Sequence, residues 1–217
     1  MARGVIRPDT EGSGVRYVFL TLFAIAFGVE EAIIVLYLRL LPAQHGQIAP
    51  DTYHLEMARE ISTLVILVAV AAVAATRLDQ RLRYFLFSFG VWDIVYYIAL
   101  WLLSGYPGFT SDDVLFLIPM PWVGPVWAVM SFAAALVLLG RLGVARSRAA
   151  VLVVGLALGW LSFVFVPIKA LFSGHGLDPH IDLEPERYPI WLYVPAIACI
   201  LISLPWLAGK RARERAA

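Results

Sequence analysis

Ionisable side chains stand inside long apolar segments of this 217-residue sequence, where such groups are rare. They are Glu30, Glu31, Glu56, Arg59, Glu60 and Asp93. An ionised group at the centre of a membrane helix costs about 2.5–3.5 kcal/mol on insertion scales, so each needs a partner or a function. Buried carboxylates can hold a metal ion, carry a proton or pair with a base.

Three of these carboxylates are predicted to lie in one layer. At a helical rise of 1.5 Å per residue, Glu31 and Asp93 each lie about 15 Å below the outer end of their segment, and Glu60 about 10 Å. Because the three segments are consecutive and antiparallel, the acids share the outer half of the membrane. Glu30 and Glu31 are about 100° apart on their helix, and the apolar neighbours of Glu31 favour it as the inward acid. The sequence pattern alone does not exclude Glu30 as the inward-facing acid.

The first interpretation of this layer is a divalent metal site, since oxygen ligands suit hard and borderline cations. The expected ligands are Glu31, Glu60 and Asp93, with Glu56 or His54 at the outer rim. Tyr96 and Asp93 would be catalytic, with Tyr96 assisting proton transfer. This hypothesis describes an integral membrane metalloenzyme that acts on a lipid or another apolar substrate. The identity of the metal stays open.

The alternative is a proton- or cation-coupled transporter or relay that uses the same carboxylates. In that case one or more acids are protonated, Arg59 pairs with another, and Tyr96 or Tyr97 donates hydrogen bonds. The sequence lacks the Glu-x-x-His pairs of a di-iron bundle, which weighs against a metal. A third interpretation is a non-catalytic subunit of an oligomer or larger membrane complex, since the fourth and sixth segments are free of charges across their spans.

A second group of possible ligands follows the fifth segment. The group is His175, Asp178, His180 and Asp182. Imidazole and carboxylate at these spacings can bind zinc or copper, but the loop is more typical of an ordinary solvated connection. The familiar hydrolase, metalloprotease and phosphate-loop motifs are missing from the sequence.

The composition is that of a chain surrounded mostly by lipid. Hydrophobic residues make up 61% and charged residues 15%, against about 45–50% and about 25% in soluble domains. A single cysteine, Cys199, excludes a disulfide framework and a Cys-based zinc or iron–sulfur site. A net charge of +1 without a long basic tract gives no indication of nucleic-acid binding.

The elements that must position these acids are membrane helices, each needing about 20 apolar residues. Six apolar runs are predicted to span the membrane, at 17–41, 53–75, 84–103, 115–140, 149–172 and 188–208. The fold class is therefore all-α, a polytopic six-helix transmembrane bundle forming one domain over 1–217. We expect the first run to be kept as a helix and not cleaved as a signal peptide. Prolines 119, 121 and 125 predict an irregular outer end of the fourth span.

Orientation follows from the basic residues. Most of the 17 Lys and Arg residues lie at the two termini and in the second and fourth connections. The positive-inside rule therefore predicts that both termini are cytoplasmic and that the protein is a multi-pass protein of the cell membrane. The other three connections are acidic and contain all four histidines.

Several motifs resemble those of a group of uncharacterised six-span bacterial integral membrane proteins. They are Val29-Glu30-Glu31-Ala32, Arg59-Glu60, Phe89-Gly90-Val91-Trp92-Asp93-Ile94-Val95-Tyr96-Tyr97 and Pro119-Met120-Pro121-Trp122-Val123-Gly124-Pro125. The resemblance covers roughly residues 15–140. It implies that Glu31, Glu60 and Asp93 occur together in one protein type, and it implies no particular reaction.

Overall fold

The computed structural model describes residues 10–40, 53–118, 120–144, 146–172 and 188–205. These residues form six α-helices: α1 Thr10–Leu40, α2 Tyr53–Ala74, α3 Leu78–Ser104, α4 Val126–Leu142, α5 Ala149–Phe172 and α6 Ile190–Ser203. Two short strands, β1 Asp112–Phe116 and β2 Trp122–Pro125, lie between α3 and α4. A 3-10 turn, Arg146–Arg148, leads into α5.

Four of the helices are long and apolar enough to cross a membrane. The qualifying stretches are Gly14–Leu38, His54–Ala74, Leu78–Ser104 and Ala149–Lys169. The helices α4 and α6 are also apolar but shorter, with 17 and 14 residues. The prediction of a mostly helical chain with apolar helices of membrane-spanning length is confirmed.

The chain between α3 and α4 differs from the predicted fourth span. The helix α4 begins only at Val126, and the residues before it form an antiparallel hairpin in which Asp112 pairs with Pro125 and Val114 with Val123. Pro125 is extended, with φ −70° and ψ 141°, and a proline lacks the N–H that a continuing helix would use. The irregular outer end expected from the prolines is thus a β-hairpin, a feature that the all-α prediction did not contain.

The helix α3 is the central element, because α1, α2 and α4 all contact it. Glycines allow two of these helices to approach closely. A Cβ at Gly28 of α1 would come within 2.7 Å of the Trp92 carbonyl oxygen, and one at Gly140 of α4 within 2.6 Å of the Arg83 carbonyl oxygen. On the far side, α5 and α6 pack against each other, and α4 contacts α6. Asp93, near the middle of α3, is therefore held inside the bundle.

Candidate functional site

A charged cluster joins α1 to α2. The Arg59 guanidinium donates through Nη1 to Glu31 Oε2 and through Nε to Glu56 Oε2, the latter at 2.9 Å. Its Nη2 donates to the second Glu56 oxygen, so that Arg59 and Glu56 form a bidentate pair. Thr63 Oγ1 donates to Glu31 Oε1 at 2.6 Å. Both oxygens of Glu31 are therefore satisfied from α2.

The sequence of α2 explains how these groups reach the interior. Buried residues recur along α2 at spacings of three or four, which places them on one helical face: Glu56, Glu60, Thr63, Leu67 and Ala71. The end of this face nearest Tyr53 is polar and the other end is apolar. One helix face thus presents two acids and a hydroxyl in one half of the bundle and aliphatic side chains in the other half.

Glu60 holds the hairpin against α2. Its two carboxylate oxygens accept the backbone N–H of Leu117 at 3.1 and 2.9 Å, and the side chain is buried. Leu117 directly follows β1, where the chain leaves the strand. A charge-assisted hydrogen bond to a backbone amide is stronger than a neutral one. Glu60 therefore has a positioning role between α2 and the β1–β2 hairpin.

Asp93 differs from the other buried acids. Its residue is 8% exposed, yet its carboxyl forms no hydrogen bond or ion pair with any described residue. Phe89 lies one helical turn before it and Tyr96 and Tyr97 one turn after it, on the same side of α3. Asp93 is thus a buried acid with aromatic neighbours on its own helix.

Two of those neighbours, Phe89 and Tyr96, belong to a larger group that we call the aromatic cluster, made of Phe89, Trp92, Tyr96, Phe116 and Trp122. Phe116, on β1, has its ring centroid 6.2 Å from that of Phe89, 6.3 Å from that of Trp92 and 5.5 Å from that of Trp122. The Trp92 and Tyr96 rings are stacked at 6.2 Å. The hairpin thereby packs aromatic rings against Phe89 and Trp92, in the same stretch of α3 as Asp93.

Buried donors without partners occur in the same region. Among the described residues, Trp92 Nε1, Trp122 Nε1 and Ser88 Oγ are buried and have no hydrogen-bond partner. Most buried polar atoms in proteins are hydrogen-bonded, so three unpartnered donors near one unpartnered acid are unusual. This part of the bundle therefore contains hydrogen-bonding groups that no described residue satisfies.

The structure places the predicted site residues in several different settings. Glu31 is 3% exposed whereas Glu30 is exposed, which agrees with the preference for Glu31. Glu56 is buried against Arg59, His54 is exposed, and Tyr96 is half-buried. The loop with His175, Asp178, His180 and Asp182 lies outside the described residues.

The predicted metal site receives no support from this arrangement. Within the described residues, no group of three or more His, Cys, Asp or Glu side chains is placed to hold a metal ion. The cation between Glu31 and Glu56 is the Arg59 guanidinium, and Glu60 is bonded to a backbone amide. The divalent metal expected at Glu31, Glu60 and Asp93 remains a prediction from sequence.

The sequence-based set of site residues misses several participants, among them the Leu117 amide and Trp122. The Leu117 amide has no signal because a backbone N–H is not tied to a residue type. Trp122 is the first residue of β2, and the sequence analysis did not predict that strand. The pairing of Arg59 with Glu56 is visible in the sequence, because residues three apart are neighbours on the surface of a helix.

Comparisons with known proteins assign neither a family nor a function. No family model matches the chain, and neither a curated protein nor a solved structure is significantly similar to it. Functional inference therefore depends on the chemistry of the buried acids and their surroundings.

Proposed function

We propose that this chain is a six-span protein of the cell membrane, with both termini cytoplasmic, and that it acts as a proton- or cation-coupled transporter. The four long apolar helices support the membrane assignment. The 17 residues of α4 extend about 25 Å, close to the hydrocarbon thickness of about 30 Å, and the hairpin precedes them. The distribution of Lys and Arg supports the orientation.

The observation that supports the coupling is the contrast between Asp93 and the other buried acids. Glu31 and Glu56 share Arg59, and Glu60 accepts a backbone N–H. Asp93 has no such partner among the described residues. An ionised carboxylate in that position has a large desolvation cost, which a bound proton or a bound cation removes. We assign to Asp93 the role of binding and releasing that proton.

The Arg59 cluster supports a transporter more than a metalloenzyme. A guanidinium already compensates Glu31 and Glu56 and links two helices through side chains. Such charged links between helices can break and re-form during a conformational change, and intramembrane ionisable residues typically mark ion pathways. We therefore assign to Arg59, Glu31 and Glu56 a structural link between α1 and α2 beside the pathway.

Infrared difference spectroscopy tests the role of Asp93. The purified protein, titrated from acid to alkaline pH, should show the carbonyl stretch of a protonated carboxylic acid that persists at neutral pH. The Asp93→Asn variant should lack this band, whereas Asp79→Asn, which changes an exposed acid paired with Arg77, should retain it. Identical spectra for wild type and Asp93→Asn would contradict the proposed function.

Cysteine labelling tests the orientation. In a Cys199→Ser background, Ser111→Cys before β1 should react with an impermeant thiol reagent from outside intact cells. Ala149→Cys at the start of α5 should react only after lysis. The opposite pattern would show that the termini are not cytoplasmic.

A further inference from the structure

We propose that Asp93 and the aromatic cluster bind an apolar organic cation, which displaces the proton of Asp93. This inference rests on the proposed function and names its cargo. The observations behind it are a buried carboxyl without a partner among the described residues and five aromatic residues that pack together on α3 and the hairpin.

Aromatic faces and a carboxylate are complementary to the same kind of ligand. The face of an aromatic ring carries negative electrostatic potential and attracts a cation placed within about 6 Å of the centroid, most strongly for Trp. The cluster contains two tryptophans, two phenylalanines and one tyrosine. Phe116 is its central member and contacts Phe89 and both tryptophans. An apolar cation that leaves water for this site loses little hydration and gains both ring contacts and the Asp93 charge.

The charges on neighbouring elements favour a cation over an anion. On the helices that contact α3, the buried charged residues are acids, namely Glu31 on α1 and Glu56 and Glu60 on α2, and Arg59 on α2 is half-buried. Arg16 and Glu30 on α1 and Arg141, in the last turn of α4, are exposed. Arg59 directs its donors at Glu31 and Glu56, and so does not compensate Asp93. Asp112 and Asp113 of the hairpin add negative charge at the start of β1.

The surroundings also separate an organic cation from a metal ion. A divalent cation such as Ca²⁺ requires six to eight oxygen ligands, and Mg²⁺ requires six in an octahedron. The described residues offer no group of three acidic, histidine or cysteine ligands. Aromatic rings can take the place of oxygen ligands for an organic cation, which does not require a full shell of oxygens.

The exchange step is balanced in charge and atoms. When the cation binds, the O–H bond of the Asp93 carboxyl breaks and the proton leaves to water. The carboxylate then pairs with the cation, so one positive charge replaces another in the interior. Release of the cation is accompanied by return of a proton to the same oxygen.

Tetraphenylphosphonium is a suitable probe because it is apolar, permanently charged and has no titratable proton. We expect the purified full-length protein in detergent to bind it in a weakly buffered solution, as measured by isothermal titration calorimetry. A pH indicator in the same solution should report release of protons in proportion to the cation bound. Triphenylphosphine oxide, which has similar rings and no charge, should not compete.

Variants separate the cargo assignment from a general loss of structure. Asp93→Asn should weaken binding at least about tenfold and abolish proton release, whereas Asp93→Glu should retain the release. Asp79→Asn should behave as wild type, since Asp79 is exposed and paired with Arg77. Gel filtration establishes that each variant is folded.

The outcomes distinguish this inference from the proposed function. If infrared spectra identify a protonated Asp93 but tetraphenylphosphonium does not bind, the cargo assignment is wrong and the proposed function stands. Equal binding to wild type and Asp93→Asn would have the same meaning. If the spectra show no Asp93 proton, both the proposed function and this inference are overturned.

Discussion

Removal of the Arg59 charge is the sharpest test of the buried cluster. Arg59→Met keeps the length and the apolar character of the side chain but leaves Glu31 and Glu56, which are 3% and 7% exposed, without their common cation. Removing one partner of a buried ion pair costs about 3–5 kcal/mol. Because the Arg59 side chain is itself 21% exposed, we expect a loss near the lower end, about 3 kcal/mol.

Thermal unfolding measures this loss. For a chain of this length, 1 kcal/mol shifts the midpoint by about 2–4 °C, so the apparent Tm of Arg59→Met should fall by roughly 6–12 °C. The matched control is Arg77→Met, which removes the Arg77–Asp79 pair, whose side chains are 71% and 63% exposed. An exposed pair contributes about 0–1 kcal/mol, so the control should shift by at most a few degrees. All variants are compared at one scan rate, since membrane proteins often unfold irreversibly.

A rescue variant distinguishes charge from packing. Combining Arg59→Met with Glu31→Gln and Glu56→Gln makes the whole cluster neutral while preserving its volume, and it should recover most of the lost stability. Two outcomes would refute this reasoning. One is an equal loss of thermal stability in Arg59→Met and Arg77→Met. The other is a neutral triple variant that is no more stable than Arg59→Met, because the charges of the cluster would then not depend on each other for stability.

Two further predictions concern the hairpin and the helix contacts. Glu60→Gln removes the charged acceptor of the Leu117 amide, so hydrogen exchange of that amide should become about tenfold faster. The control Glu30→Gln should leave the exchange rate unchanged. Equal exchange rates in both variants would contradict the positioning role of Glu60. Gly140→Ala should lower stability by about 1–3 kcal/mol in thermal unfolding, because its Cβ would clash with the backbone of α3, whereas Gly14→Ala has open space; similar Tm values would argue against close packing there.

The sequence by itself predicted apolar helices of membrane-spanning length and favoured Glu31 over Glu30 as the inward acid. Apolar runs of membrane-spanning length predict helices, because a backbone in lipid must satisfy its own hydrogen bonds. The apolar neighbours of Glu31 favoured it over Glu30 without excluding Glu30, and in the structure Glu31 is buried and Glu30 is exposed. Both inferences depend on local periodicity, which a single helix already contains.

Only the tertiary structure decided what each acid touches. The Arg59 guanidinium contacts acids on two helices, and Glu60 accepts an amide from a hairpin 57 residues further along the chain. The depth argument predicted a common layer for Glu31, Glu60 and Asp93, but depth does not fix the rotation of a helix or the direction of a side chain. The rotation of a helix and the direction of its side chains depend on which helices pack together. The close approach of α1 to α3 at Gly28, for example, requires a glycine on α1 and a matching surface on α3. The packing of Phe116 on Phe89 of α3 likewise requires a strand that local periodicity did not predict, because the strand is stabilised by pairing with β2 and by packing on α3.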